Sequence, residues 1–179
     1  MAKIKGTGIS TVLKLLKMQG VSTLPEPLAH YFDRQILVAS WYPEIDFLDL
    51  LQVLSLSAPS TEKDPWKWMG RAVAHVDLLQ IYSFMVQKGS PWGTLQRLPR
   101  LWRLYHDSGR ADVGLIEECR AHIQVADYAY ADENFCRWMK GYVSEMLHIG
   151  GARNLSVKSL RTGTLDKPAR WLAHWTEPS

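Results

Sequence analysis

The spacing of apolar residues changes along this chain, and the change limits the folds open to it. Up to the stop at Asp107-Ser108-Gly109, apolar residues recur every three or four positions, as in amphipathic helices. Beyond this stop they alternate in two pairs of segments, and one further helical stretch separates the pairs. Helices and hairpins segregated in this way predict an α+β fold, with a helical layer packed on one face of a four-stranded antiparallel sheet.

The helical part is predicted over about residues 10–107. A first helix is expected at about 10–19 and a short one at about 25–34, and Pro43 begins a third that is apolar almost all round. The next two helices begin at cap-plus-proline pairs, Asp64-Pro65 and Ser90-Pro91.

The helix that starts at Asp64 carries apolar residues at steps of three and four until Gly89, so it is predicted to be continuous. The helix after Ser90 runs to Asp107, and Pro99 is expected to kink or break it.

The remaining residues are predicted to supply the sheet and its last helix. A hairpin is expected at about 112–128, a helix at about 132–149, and a second hairpin at about 154–176 with a turn at 163–167. No repeat, low-complexity tract or linker interrupts the sequence, so one domain is predicted over residues 1–179.

Eight Trp, seven Tyr and four Phe can fill the core of such a domain without disulfides. The two cysteines, Cys119 and Cys136, fit a reducing cytoplasm. Lysines interrupt the apolar residues near the start, and no window approaches about 18 apolar residues, so neither a signal peptide nor a transmembrane span is expected. A net charge of +3 argues against a dedicated nucleic-acid binder. The sequence therefore predicts a cytoplasmic protein.

Established catalytic motifs are missing from the sequence. It has no glycine-rich phosphate or dinucleotide loop, no HExxH or GxSxG motif, and no paired CxxC. An enzyme would have to assemble its site from residues far apart in the chain. We therefore expect a protein that is not an enzyme.

Histidines and cysteines are the usual metal and haem ligands, but here no two stand at close ligand spacing, so no metal site is predicted. His75 is the candidate ligand residue, because it neighbours the apolar stripe of the long helix, where a haem-binding histidine would face a cofactor pocket. An ordinary surface or partly buried histidine is the favoured alternative.

A second group of candidate ligand-binding residues lies before Asp107. Arg97, Arg100 and Arg103 recur every third residue and could bind phosphates or an acidic partner, while Trp102 and Tyr105 between them could stack on a ligand. A solvated helix face whose aromatic residues turn inward is the favoured alternative.

Short landmarks in a fixed order resemble an uncharacterised bacterial family found mainly in myxobacteria, over about residues 3–176. The landmarks are Lys5-Gly6, Ser40-Trp41-Tyr42-Pro43, Met69-Gly70-Arg71, Lys88-Gly89-Ser90-Pro91, Tyr105-His106-Asp107-Ser108-Gly109-Arg110, Cys136 with Gly141-Tyr142, and Gly151-Ala152-Arg153-Asn154-Leu155-Ser156-Val157 with Trp175. That family looks like a member of the fold shared by vinyl-reductase-type small-molecule-binding domains, haem nitric-oxide-binding domains and vesicle-tethering transport-particle subunits.

The resemblance implies a binding or assembly module, and it transfers no site. Two cysteines are usual in the family's last hairpin, but here Thr162 stands near one position and Ala169 or Arg170 near the other. The haem domains carry a Tyr-x-Ser-x-Arg motif, whereas this chain has Tyr105-x-x-Ser108-x-Arg110.

We therefore expect a non-catalytic regulatory or signalling module that binds an apolar small molecule or a protein partner, as a homodimer and without a cofactor. The first alternative is a haem or gas sensor. The second is an enzyme acting on a tetrapyrrole-like ligand.

Overall fold

The first part of the chain is mainly helical in the computed structural model, which describes residues 1–164 and 166–177. Its helices are α1 (Gly6–Met18), α2 (His30–Asp33), α3 (Glu44–Leu56), α4 (Pro65–Val76), α5 (Pro91–Leu95) and α6 (Leu98–Tyr105). Among the described helices, none combines the length and hydrophobicity that crossing a bilayer requires.

The second part of the chain forms a four-stranded antiparallel sheet and one long helix. Its elements are β3 (Arg110–Glu117), β4 (Arg120–Ala126), α7 (Glu133–Ile149), β5 (Arg153–Arg161) and β6 (Ala169–Thr176). The strand order is β3-β4-β6-β5. The turn predicted at 163–167 includes Leu165, which lies outside the described residues.

One face of this sheet is buried under helices. Alternate residues of β6 are buried, and among them Trp171 donates its indole N–H to the carbonyl of Cys136 on α7 at 3.0 Å. The intervening residues of β6 are more exposed. The predicted α+β class, with a helical layer on one face of a four-stranded antiparallel sheet, is therefore confirmed.

A small second sheet was not predicted from the sequence. It pairs β1 (Lys3–Lys5) with β2 (Trp41–Pro43) in antiparallel register. Each strand has three residues, which is too short for an alternating pattern to be recognised. Ile4 of β1 also forms an isolated bridge with His106, so this sheet connects the start of the chain to the end of α6.

The continuous helix predicted from Asp64 to Gly89 is wrong, because α4 ends at Val76. Asp77–Ile81 form a π-helical turn that is closed by a 2.7 Å hydrogen bond from the Tyr82 N–H to the Asp77 carbonyl. Leu79 within this turn is 47% exposed, so its apolar spacing did not mark a buried face. The helical periodicity persists in the sequence, but the backbone winds differently around the buried Asp77 side chain.

The helix predicted after Ser90 is broken near Pro99, as expected, but the break does not fall at the proline itself. The chain breaks earlier, between α5 and α6, and Pro99 lies in the first turn of α6. A proline fits there because the first-turn N–H groups have no partner within the helix.

Helices α4 and α7 cross at two glycines. A Cβ added to Gly70 would collide with the backbone carbonyl of Trp138, and one added to Gly141 would collide with the backbone carbonyl of Lys67. The two backbones are therefore in direct contact at the crossing.

Candidate functional site

A fully buried carboxylate, Glu44, lies at the first residue of α3. Its Oε1 accepts a 2.6 Å hydrogen bond from the Tyr128 hydroxyl and lies 2.5 Å from Nδ1 of His106. Its Oε2 accepts a longer hydrogen bond, 3.4 Å, from the Ser108 hydroxyl. Three side chains from the region after α6 therefore converge on one acidic group.

Backbone hydrogen bonds fix both ends of the Glu44–His106 pair. The Glu44 N–H donates to the carbonyl of Ala2 at 3.0 Å. On the other side, the Lys3 N–H donates to the Asp107 carboxylate at 2.7 Å, and the Asp107 N–H donates back to the Lys3 carbonyl at 3.1 Å. The start of the chain therefore holds α3 and the end of α6 in register.

This arrangement selects one form of the His106 ring. Burial, and next the negative charge of Glu44, raise the pKa of Tyr128 well above its ordinary value, so its hydroxyl stays protonated and donates. Because Oε1 of Glu44 already accepts from Tyr128, we infer that Nδ1 of His106 carries a hydrogen and donates a hydrogen bond to the same oxygen. In the neutral ring, Nε2 then keeps a free lone pair, as in histidines that bind a metal.

His106 is one wall of an apolar cavity between α3, α4, α6 and α7. The remaining walls are Phe47, Val73, Asp77, Leu98, Leu101, Trp102, Tyr105, Trp138, Met139 and Tyr142. The cavity volume is about 20 Å³, which is room for about one water molecule.

A second buried acid, Asp77, reaches this cavity from the π-helical turn. Its Oδ1 accepts a 2.8 Å hydrogen bond from Thr11, and its Oδ2 accepts a 3.5 Å bond from Tyr142. Burial raises the pKa of Asp77 from 3.8 to about 7, against the lowering effect of hydrogen bonds from its neighbours. Near neutral pH a substantial fraction of this carboxyl is therefore protonated.

Two polar atoms at the cavity have no hydrogen-bond partner among the described residues. They are the Tyr105 hydroxyl and Nε1 of Trp138, and both are buried. The Tyr105 hydroxyl is near enough to Asp77 to affect the pKa of that carboxyl, but it lies outside hydrogen-bonding geometry. A buried donor without a partner is costly, so a bound molecule that accepts from these atoms would gain stability.

The structure separates the residues that the sequence proposed for ligand binding. Trp102 and Tyr105 line the cavity together. Arg97 instead donates to the carbonyl of Phe84 at 2.7 Å, and Arg100 and Arg103 are exposed on α6. The three arginines are thus on a solvated face, away from the two aromatic residues.

His75 lies outside the cavity. Its side chain is 60% exposed, and Nδ1 is 2.9 Å from Glu145 on α7. Sequence reasoning overlooked His106, although it stood among the landmarks, because no apolar period placed its side chain in the core. Within residues 1–164 and 166–177, no group of three or more His, Cys, Asp or Glu could hold a metal ion.

Comparison with protein-family models finds no match, and comparison with curated proteins finds none either. The resemblance to a mainly myxobacterial family is therefore unsupported. Solved structures do match. One is an oxygen-binding H-NOX domain related to soluble guanylate cyclases, in its oxygen complex, at 14% identity and TM-score 0.71, covering 97% of this chain and 96% of that one.

Two further matches agree. An H-NOX protein from S. oneidensis in the Fe(II) ligation state is 13% identical at TM-score 0.70, covering 98% of this chain and 97% of that one. A mutant H-NOX from T. Tengcongensis is 12% identical at TM-score 0.70, covering 97% of this chain and 98% of that one.

The expectation of no cofactor is overturned by these comparisons. A structure from a study of haem redox potential and porphyrin distortion matches at 13% identity and TM-score 0.71, covering 98% of this chain and 96% of that one. Of the three groups that the sequence resemblance implied, these matches represent the haem nitric-oxide-binding domains. At such low identity the likeness shows the fold alone, and that fold is the one of H-NOX domains.

Proposed function

We propose that this chain is a sensor domain that binds haem in the cavity between α3, α4, α6 and α7, with Nε2 of His106 as the iron ligand. The observation that carries the proposal is the buried His106 ring, whose Nδ1 is held by the buried carboxylate of Glu44 while the ring borders an apolar cavity. Carboxylate support of this kind is typical of histidines that bind metals.

The residues around the cavity fit a haem in their chemistry. The walls are apolar, as the macrocycle requires, and the unpartnered Tyr105 hydroxyl and Trp138 N–H could donate to a bound ligand. The present volume, about 20 Å³, is far smaller than the several hundred cubic ångströms of common cofactor sites. Binding therefore requires the helices around the cavity to separate.

Each residue of the site has a separate task in this proposal. Glu44 accepts from Nδ1 and so orients the imidazole, and Tyr128 donates to Glu44 and holds the carboxylate in place. Trp102 stacks on the His106 ring at a centroid distance of 4.0 Å and limits its rotation. A bound haem would supply an iron able to bind a diatomic gas.

The role proposed is binding rather than catalysis. Homodimer formation, a protein partner and a cytoplasmic location remain predictions from the sequence.

Expression with added haem precursor tests the proposal. The purified protein should show a Soret band, His106→Ala should lose most of it, and Glu44→Gln should retain haem with a shifted band. His75→Ala is the matched control, because that histidine is exposed and lies outside the cavity, and it should leave the spectrum unchanged. A protein without a Soret band, or a band that survives His106→Ala, would contradict the proposal.

A further inference from the structure

A basic groove lies on the outside of the helical layer, where α4, α7 and β5 meet. Its volume is about 470 Å³. The polar residues that line it include Lys67, Arg71, Lys140, Ser144, His148 and Lys158. It is separate from the interhelical cavity, with which it shares no lining residue.

The glycine crossing of α4 and α7 builds this groove. Because Gly70 and Gly141 let the two backbones touch, the residues that flank them are brought close together. Lys67 and Arg71 of α4 therefore face the same groove as Lys140 of α7. Contact between the two backbones therefore keeps the attachment points of these side chains close together.

The groove has little negative charge of its own. Glu145 is the carboxylate in its lining, and it is already paired with Arg71 at 3.6 Å and with His75 at 2.9 Å. The ion pairs formed by the described residues do not include Lys67, Lys140 or Lys158. Like charges held close together repel each other, so a bound anion would relieve this repulsion.

We propose that the groove binds a phosphate-bearing anion. Lysine ammonium groups are common phosphate ligands, and several on one concave surface favour a ligand with more than one negative charge. The volume falls within the range of small-molecule sites. The phosphate belongs either to a soluble metabolite or to a lipid headgroup, and both share the chemistry that the lysines recognise.

Calorimetric titration of the full chain with inorganic pyrophosphate at low salt tests the proposal. The double variant Lys67→Gln/Lys140→Gln should bind about tenfold more weakly or worse. The matched control, Lys14→Gln/Lys17→Gln, removes the same charge from exposed positions on α1 and should stay within about twofold of wild type. Thermal melts check that both double variants fold. Lys158→Gln on β5 should also weaken pyrophosphate binding, and it leaves the helix crossing unchanged.

Sedimentation with phosphatidylserine vesicles distinguishes the two sources of phosphate. If the groove variants weaken pyrophosphate binding, the result supports a soluble ligand. If the groove variants lose vesicle binding and the α1 control keeps it, the result supports a lipid headgroup. The proposal is overturned if neither probe binds, or if the α1 control loses as much as the groove variant. Absence of haem would not affect these outcomes, because the groove and the cavity have different walls.

Discussion

Nδ1 of His106 lies 2.5 Å from Oε1 of Glu44, and the two side chains are 4% and 0% exposed. The pair joins the end of α6 to the start of α3 across 62 positions of sequence. A buried group of this kind depends on its partner, because a charge or donor left alone in the core is strongly destabilising.

Glu44→Ala should therefore reduce the free energy of unfolding by about 3–5 kcal/mol. The substitution leaves the His106 ring and the Tyr128 hydroxyl without their shared acceptor. Urea unfolding at pH 7 measures the loss. Glu62→Ala, at an exposed position, is the control and should change stability by less than about 0.5 kcal/mol. Equal effects of the two substitutions would show that Glu44 is not an essential acceptor.

Asp77→Asn should flatten the pH dependence of stability between about pH 4 and pH 7. The pKa of this carboxyl is 3.8 ordinarily and about 7 in the folded protein, so the folded state binds the proton more tightly. The contribution of Asp77 to stability therefore falls as pH rises through this window, by up to about 4 kcal/mol, whereas asparagine cannot ionise. Denaturant titrations at several pH values check this. If stability changed with pH in the same way in wild type and Asp77→Asn, the raised pKa of Asp77 would be refuted.

Gly141→Ala should lower stability by at least about 2 kcal/mol, because the new methyl group meets the backbone carbonyl of Lys67. A backbone atom cannot rotate away as a flexible side chain can, so α4 and α7 must separate. Chemical unfolding compares this variant with Gln52→Ala on the exposed side of α3, which should lie within about 0.5 kcal/mol of wild type. A Gly141→Ala protein as stable as the control would mean that the helices adjust freely.

The two cysteines should react with thiol reagents at different rates. Cys136 is buried in α7, and burial raises its pKa to about 11, so little thiolate is available. Cys119 lies in the turn between β3 and β4 and is partly exposed. One thiol should be modified in the folded protein and two after denaturation. The variant Cys119→Ser should abolish the native reaction, and persistence of that reaction would place it at Cys136.

The sequence predicted helices correctly where a capping residue stands directly before a run of apolar residues at helical spacing. Asp64 and Ser90 each accept a backbone hydrogen bond at the start of a helix, as their cap-plus-proline pairs indicated. Asp132 does the same for α7. These signals succeed because a cap and its helix are neighbours in the chain, so the interaction that forms them is visible in sequence.

The candidate site could not be predicted in the same way. Glu44 is an acidic residue in the first turn of a helix, a position where carboxylates are usually solvated and favourable to the helix dipole. Its burial comes from β1 and from the region around Tyr128, which are distant in sequence. Likewise, the helical spacing of apolar residues continues past Asp77, so the sequence did not indicate the π-helical turn in which this carboxyl is buried.

The glycine crossing of α4 and α7 also has an evolutionary consequence. An enlarged side chain in a core can be accommodated when its neighbour becomes smaller, but at Gly70 and Gly141 the obstacle is the main chain, which no substitution can trim. Compensating mutations are therefore closed to both positions. Distant relatives of this chain that keep the crossing should therefore retain both glycines. The pair of glycines could then identify such relatives when overall sequence identity is too low to do so.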